Sequence, residues 1–104
     1  MSANGIGETI ASRQFHFPND VGTQGTIMVI VGKPERSPNA TEYCCHFKII
    51  GVGNEQVQTA QGRDSMHALQ SALILIGANL NHLNDRLGRR LRWDGAANGD
   101  LGFP

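Results

Sequence analysis

The residues of this chain best suited to chemistry are three neighbours, Cys44, Cys45 and His46. In an extended strand Cys44 and His46 share one face, and Cys45 points to the other, where we expect it to be a small buried apolar side chain. His16 could join the exposed pair from a neighbouring strand. A thiol beside an imidazole is typical of a cysteine nucleophile, and thiolate and imidazole are ligands that zinc prefers.

Neither chemistry is complete in the sequence. Zinc needs three or four converging ligands, and the chain has no second pair at metal-binding spacing. It also has no nucleophile elbow, no phosphate-binding loop and no pair of carboxylates flanked by apolar residues. We therefore predict no catalytic residue, no metal ligand and no cofactor, and we expect that the protein is not an enzyme. One alternative stays open, which is binding of a small ligand or metal at the strand face that carries His16, Cys44 and His46.

A second set of residues lies on a predicted helix. Asp64 or Ser65 suits the N-cap, the helix extends to about Leu87, and Gly88 is placed to end it. Between them, large apolar side chains recur at alternating spacings of three and four, which is the pattern of one helical stripe. The residues of this stripe are Met66, Leu69, Leu73, Ile76, Leu80, Leu83 and Leu87.

The opposite face of this helix lacks charge. Between Asp64 and Asp85 there is no Lys, Arg, Asp or Glu, although a surface helix normally carries charged pairs four residues apart. Two exposed aliphatic side chains alone would be ordinary on a small protein. The missing charge instead predicts a contact surface for a homodimer or another protein partner. Its candidate residues are His67, Ser71, Ile74, Leu75, Ala78 and His82.

A basic cluster with one tryptophan follows the helix. Its members are Arg86, Arg89, Arg90, Arg92 and Trp93. Cations at a helix C-terminus stabilise the macrodipole and the unpaired carbonyls, and this is the interpretation that we favour. The alternative is a docking patch for an acidic partner or a weak nucleic-acid site, with the tryptophan as anchor. Nine basic and nine acidic residues give zero net charge, which argues against nucleic acid because phosphate neutralisation drives that binding.

The elements that must position these groups predict a single α+β domain. Alternating or β-branched runs indicate strands over 10–17, 26–31 and 43–50, with a weaker strand over 55–61. Their connections are short, so we expect an antiparallel β-meander of about four strands packed against one long amphipathic helix.

The predicted domain covers residues 9–94 and ends in a short strand at 91–93. A flexible N-terminal tail is expected over residues 1–8, and an irregular C-terminal tail over residues 95–104. The strand at 26–31 is apolar on both faces, so it is either central and covered on both sides or part of an interface.

Two segments of the chain resemble a family of small bacterial proteins of unknown function. They are Gly62 to Leu73 and the ending Gly99 to Pro104. The resemblance extends from the second strand to the C-terminus and implies the same layout of meander and helix, with no activity to transfer. Small α+β proteins of this kind also look like immunity proteins, which is an analogy of fold and size.

The first residues lack the basic start and apolar core of a signal peptide, and no apolar run is long enough to span a bilayer. We therefore expect a cytoplasmic location and no membrane contact. With no catalytic set and an uncharged helix back, the sequence predicts a non-catalytic protein-interaction module that self-associates.

Overall fold

A computed structural model describes residues 5–36, 38–51, 53 and 55–104. Within them it contains a five-stranded antiparallel sheet and one long helix, which confirms the predicted α+β class. The elements in chain order are β1 (Thr9–Pro18), β2 (Gln24–Gly32), β3 (Glu35–Arg36), β4 (Tyr43–Ile50), β5 (Gln58–Gly62) and α1 (Ser65–Arg86).

The sheet is a meander, as expected. β1 pairs with β2, β2 and β3 both pair with one edge of β4, and β5 pairs with the other edge. Phe47 makes this clear, because it pairs with Val31 on one side and with Gln58 on the other. The short β3 lies in the connection between the predicted strands at 26–31 and 43–50. It follows Pro34, which has no N–H for a ladder hydrogen bond, and it resumes the pairing that β2 begins.

The core face of the sheet carries the side chains that α1 covers. Phe15, Ile27, Val29, Cys45 and Phe47 are each no more than 1% exposed and belong to one apolar cluster with the helix. They alternate along their strands with residues of the opposite face, as the pleat requires. This face is therefore the main hydrophobic core of the domain.

The second face of the sheet is partly covered by the start of the chain. Ile6 is 1% exposed, and its carbonyl oxygen occupies the place that a Cβ of Gly32 would need. On β2 this face includes Ile30, which is 7% exposed, and Met28, which is 36% exposed. The strand is thus central, and its second face is only partly covered. The described part of the expected N-terminal tail packs on the sheet, while residues 1–4 lie outside the described residues.

The buried stripe of α1 differs from the predicted one. Met66, which was assigned to the stripe, is 68% exposed, so this assignment is wrong. Four of the predicted leucines are half-buried along the flanks of the stripe, namely Leu69, Leu73, Leu83 and Leu87. The fully buried positions include several small residues and are Ala68, Ala72, Ile76, Gly77 and Leu80. The helix backbone comes close to the sheet at Ala68, which lies against Gly62, whereas Gly77 lies against Phe103 and Pro104 of the C-terminal tail.

The chain after α1 returns along the free edge of β1. Arg92 and His16 exchange two backbone hydrogen bonds of 2.9 and 2.8 Å, so the predicted last strand is reduced to a single β-bridge. Leu91 is fully buried, and Leu101 is 8% exposed within the core cluster. The irregular ending over residues 95–104 is therefore anchored to the domain by its apolar side chains.

Asp64→Ala is expected to lower the free energy of unfolding by about 1 kcal/mol. Asp64 is the N-cap of α1, and its Oδ1 accepts the backbone N–H of His67 at 2.7 Å. Ser65→Ala is the matched control, because the neighbouring side chain is exposed, and its effect should stay within about 0.5 kcal/mol. Urea denaturation followed by circular dichroism compares the two variants, and equal losses would contradict the capping role.

Candidate functional site

The cysteine and histidine side chains of the second sheet face do not converge. Cys44 and His46 share that face of β4, and His46 lies level with the Gly32 end of β2. His16 instead pairs with Thr26, six residues along β2 and on the order of 20 Å away. Among the residues that the structure describes, no three His, Cys, Asp or Glu side chains form a group able to hold a metal ion. The hypothesis of one site built from His16, Cys44 and His46 is therefore wrong.

Cys45 is a buried apolar side chain, as its parity predicted. It is 0% exposed, and its Sγ lies 3.4 Å from the carbonyl oxygen of Gly32. Burial raises the pKa of the Cys45 thiol, so the thiolate needed for nucleophilic attack is disfavoured. Cys44 is half-buried, and the ring Nδ1 of nearby His46 lies 2.7 Å from the hydroxyl of Thr59. The histidine nitrogen on that side is thus occupied by a contact within the sheet.

Most of the basic cluster after α1 is bound into the fold. Arg89 pairs with Asp85 at 3.2 Å, and Arg90 pairs with Asp20 at 3.2 Å. The guanidinium of Arg92 donates to two backbone carbonyl oxygens, each at 2.8 Å. Arg90 also donates its Nε–H to the carbonyl oxygen of Leu87, the C-cap of α1, at 2.7 Å, and this is the type of contact that the helix-end interpretation predicts.

The other two members of the cluster differ from these three. Trp93 is half-buried, and the guanidinium of Arg13 lies 3.8 Å from the centroid of its ring, so the indole face is already in use. Arg86 is exposed, and its side chain has no hydrogen bond or ion pair with any residue in the described ranges. Arg86 is therefore the cation of this cluster that stays available to a ligand.

A groove of about 680 Å³ lies between the C-terminal half of α1 and one end of the sheet. Its apolar lining consists of Phe17, Ile27, Ile49, Leu83 and Leu87. Its polar lining consists of Gln56, Gln58, Asn79, His82 and Arg86, and the backbone of Gly51 adds to the wall. The combination of an apolar floor and a polar rim is typical of small-molecule sites.

One end of the groove is closed by a contact between helix and sheet. The side-chain nitrogen of Asn79 donates to the carbonyl oxygen of Leu75 at 2.8 Å and to Oε1 of Gln58 at 3.3 Å. Sequence reasoning missed the groove because its lining comes from well-separated segments of the chain. The signal in the sequence was a set of three glutamines within six residues, Gln56, Gln58 and Gln61, and the first two of these line the groove.

The outer face of α1 is open to solvent. Ile74 is 56% exposed and Leu75 is 41% exposed, and Met66 adds to the apolar side chains outside the core. Of the other residues predicted for this face, Ala78 and His82 are exposed and Ser71 is half-buried.

His67 is also exposed, but its ring makes a hydrogen bond at the start of the helix. Its Nδ1 accepts the backbone N–H of Arg63 at 3.0 Å. His82 in turn lies on the rim of the groove. The predicted contact surface is therefore best represented by Ile74, Leu75 and Ala78.

No curated protein and no solved structure is significantly similar to this chain. None of the helices in the described ranges is long and apolar enough to cross a membrane. Residues 11–104 match a domain of unknown function, DUF6968, and the match includes both segments that carried the resemblance, 62–73 and 99–104. This match confirms the predicted resemblance to a family of unknown function, and the chain belongs to the DUF6968 family.

Proposed function

We propose that this protein is a non-catalytic interaction module that self-associates through the outer face of α1. The observation that supports it is a helix with exposed Ile74 and Leu75 and no charged side chain before Asp85. Exposed apolar side chains that lie together without charge are typical of contact surfaces. A helix that needed only its sheet-facing stripe would carry charged pairs on this side.

A second copy of the chain is the partner that suits this face best. The face offers no charge for recognising a charged partner, and zero net charge gives little repulsion between copies. The 22 residues of α1 span about 33 Å, and two such helices related by a two-fold axis would contribute the same residues to both sides. The small side chain of Ala78 would let the two helices approach closely.

Leu75→Glu is expected to raise the dissociation constant of the dimer by about 100-fold, because association would bury an unpaired carboxylate. Glutamate favours helix, so the substitution leaves the helix itself intact. Gln14→Glu is the matched control, with the same added charge at an exposed position on β1. Light scattering coupled to size exclusion gives the molar mass of the parent protein and of both variants. A concentration of roughly 50 μM suits a dimer of micromolar affinity. A monomeric parent protein, or a Leu75→Glu variant that still dimerises, would overturn the proposal.

Other partners are alternatives that the same experiment separates. A monomer in solution would favour a different protein on the helix face, such as the toxin-like partner that the immunity analogy suggests. Binding of an acidic partner or nucleic acid through the basic cluster has less support, because three of its four arginines are held within the fold. A bacterial origin and a cytoplasmic location fit an interaction module and stay predictions.

A further inference from the structure

We propose that the groove between α1 and the end of the sheet binds a small organic monocarboxylate with an apolar body. This site is separate from the outer helix face and does not depend on self-association. Four features support it: the size of the groove, its apolar floor, its polar rim and one cation without a partner.

The dimensions of the groove suit a small ligand. Its volume of about 680 Å³ lies in the middle of the usual range for ligand pockets. Along α1 it extends from Asn79 to Leu87, a rise of about 12 Å. The hydrogen bond between Asn79 and Gln58 closes one end. A short alkyl chain or a small ring system would therefore fit lengthwise.

The floor of the groove contains apolar side chains that the fold leaves partly uncovered. Phe17, Leu83 and Leu87 are half-buried and pack against the core with only part of their surface. The ring of Phe17 lies over Gly25, where a Cβ would overlap it. The ring can take this position in the floor because Gly25 has no side chain. An apolar ligand body would cover these surfaces and remove them from water.

The charge of the rim favours an anion. Arg86 is the one fully charged residue among the described lining residues, and neither Asp nor Glu lines the groove there. The carbonyls at the end of α1 already accept the backbone N–H groups of Leu87, Gly88 and Arg89. The Nε of Arg90 donates to the carbonyl of Leu87 at 2.7 Å. Arg86 is thus not needed to cap the helix, and its planar guanidinium is free to bind a carboxylate through two parallel hydrogen bonds.

A single negative charge fits this position better than a phosphate dianion. The groove lies at the C-terminal end of α1, where the helix dipole is negative and opposes a high anionic charge. The positive charge of Arg86 is enough to balance the helix dipole for the single charge of a carboxylate. The side chains of Gln56 and Gln58 can donate further hydrogen bonds from the opposite side of the groove.

Octanoate is a suitable probe, and 1-octanol is its uncharged analogue. In a heteronuclear NMR titration we expect saturable octanoate shifts at the backbone amides of Ile49, Gly51 and the last turn of α1. Octanol should bind at the same amides about tenfold more weakly, because it lacks the charge-assisted contact with Arg86.

Arg86→Gln tests the proposed contact, and Arg89→Gln is its matched control. Arg86→Gln should weaken octanoate binding about tenfold and leave octanol binding unchanged. Arg89 belongs to the same cluster but pairs with Asp85 outside the groove, so its variant should bind octanoate within about twofold of the parent. The proposal is overturned if octanoate shows no saturable shifts, or if Arg86→Gln binds it as well as the parent.

The Leu75→Glu background separates this proposal from self-association. Octanoate should bind that variant with the affinity of the parent, whether or not the parent dimerises. Shifts centred on Ile74 and Leu75 rather than on the groove would also overturn the proposal, since they would indicate binding to the outer helix face.

Discussion

Gly62→Ala is expected to lower the free energy of unfolding by about 3 kcal/mol. Gly62 is the last residue of β5, and α1 begins three residues later and folds back over it. A Cβ at Gly62 would overlap the backbone nitrogen of Ala68 and lie 2.6 Å from the carbonyl carbon of His67. Backbone atoms cannot rotate away as a side chain can, so the first turns of the helix would have to lift off the sheet.

Gln61→Ala is the control for this variant. Gln61 is the neighbouring residue on the same strand, but it is exposed on the other face of the sheet, so its truncation should change stability by about 0.5 kcal/mol or less. Urea denaturation followed by circular dichroism gives both free energies of unfolding. Similar values for Gly62→Ala and Gln61→Ala would contradict the close contact between β5 and α1.

This contact also explains where sequence reasoning about the helix failed. The positions of large apolar side chains predicted α1 almost to the residue, but they placed Met66 in the core and gave Ala68 no role. A helix that approaches the sheet backbone at Gly62 must present a small residue there, and apolar periodicity does not distinguish a small core residue from a solvent-exposed one. The large residues then pack along the flanks of the contact, as Leu69 and Leu73 do.

The bounds of β4 were predicted from the contrast between its buried face and its more exposed face. β4 has the predicted bounds, since its side chains alternate cleanly between apolar and polar. The parity of Cys44 and His46 followed from this alternation, but their distance from His16 did not. That distance depends on the register between β1 and β2, which local patterning does not specify.

A candidate site was easier to predict when its residues belong to one element than when they come from several. The outer face of α1 belongs to one element, so its missing charges could be read along a single stretch of chain. The groove is built from the ends of β1, β2, β4 and β5 together with the last turns of α1, and it exists only once they are packed. Arg86 was noted in the sequence as one of four clustered cations, and only its lack of a partner in the fold sets it apart.

The role of Arg13 also depends on contacts between distant segments of the chain. Its parity on β1 places a charged side chain on the core face. The structure resolves this conflict through the C-terminal tail. The guanidinium lies 3.8 Å from the ring centroid of Trp93 and 5.0 Å from that of Phe103. It also donates to the carbonyl oxygens of Leu101 and Gly102 at 3.2 and 3.0 Å. The charge is therefore shared between two aromatic faces and two backbone acceptors, and these contacts hold the tail on the domain.

Arg13→Ala is accordingly expected to lower the free energy of unfolding by about 2 kcal/mol, through loss of the cation–π contact and the charged hydrogen bonds. Trp93 is the single tryptophan of the chain, so its fluorescence should shift to longer wavelength in the folded variant as water reaches the indole. Arg36→Ala is the control. Its guanidinium is exposed and lies 6.0 Å from the ring of Tyr43, so it should cost about 0.5 kcal/mol or less and leave the emission unchanged. An Arg13→Ala variant with unaltered emission would mean that the apolar side chains of the tail hold it in place without the arginine.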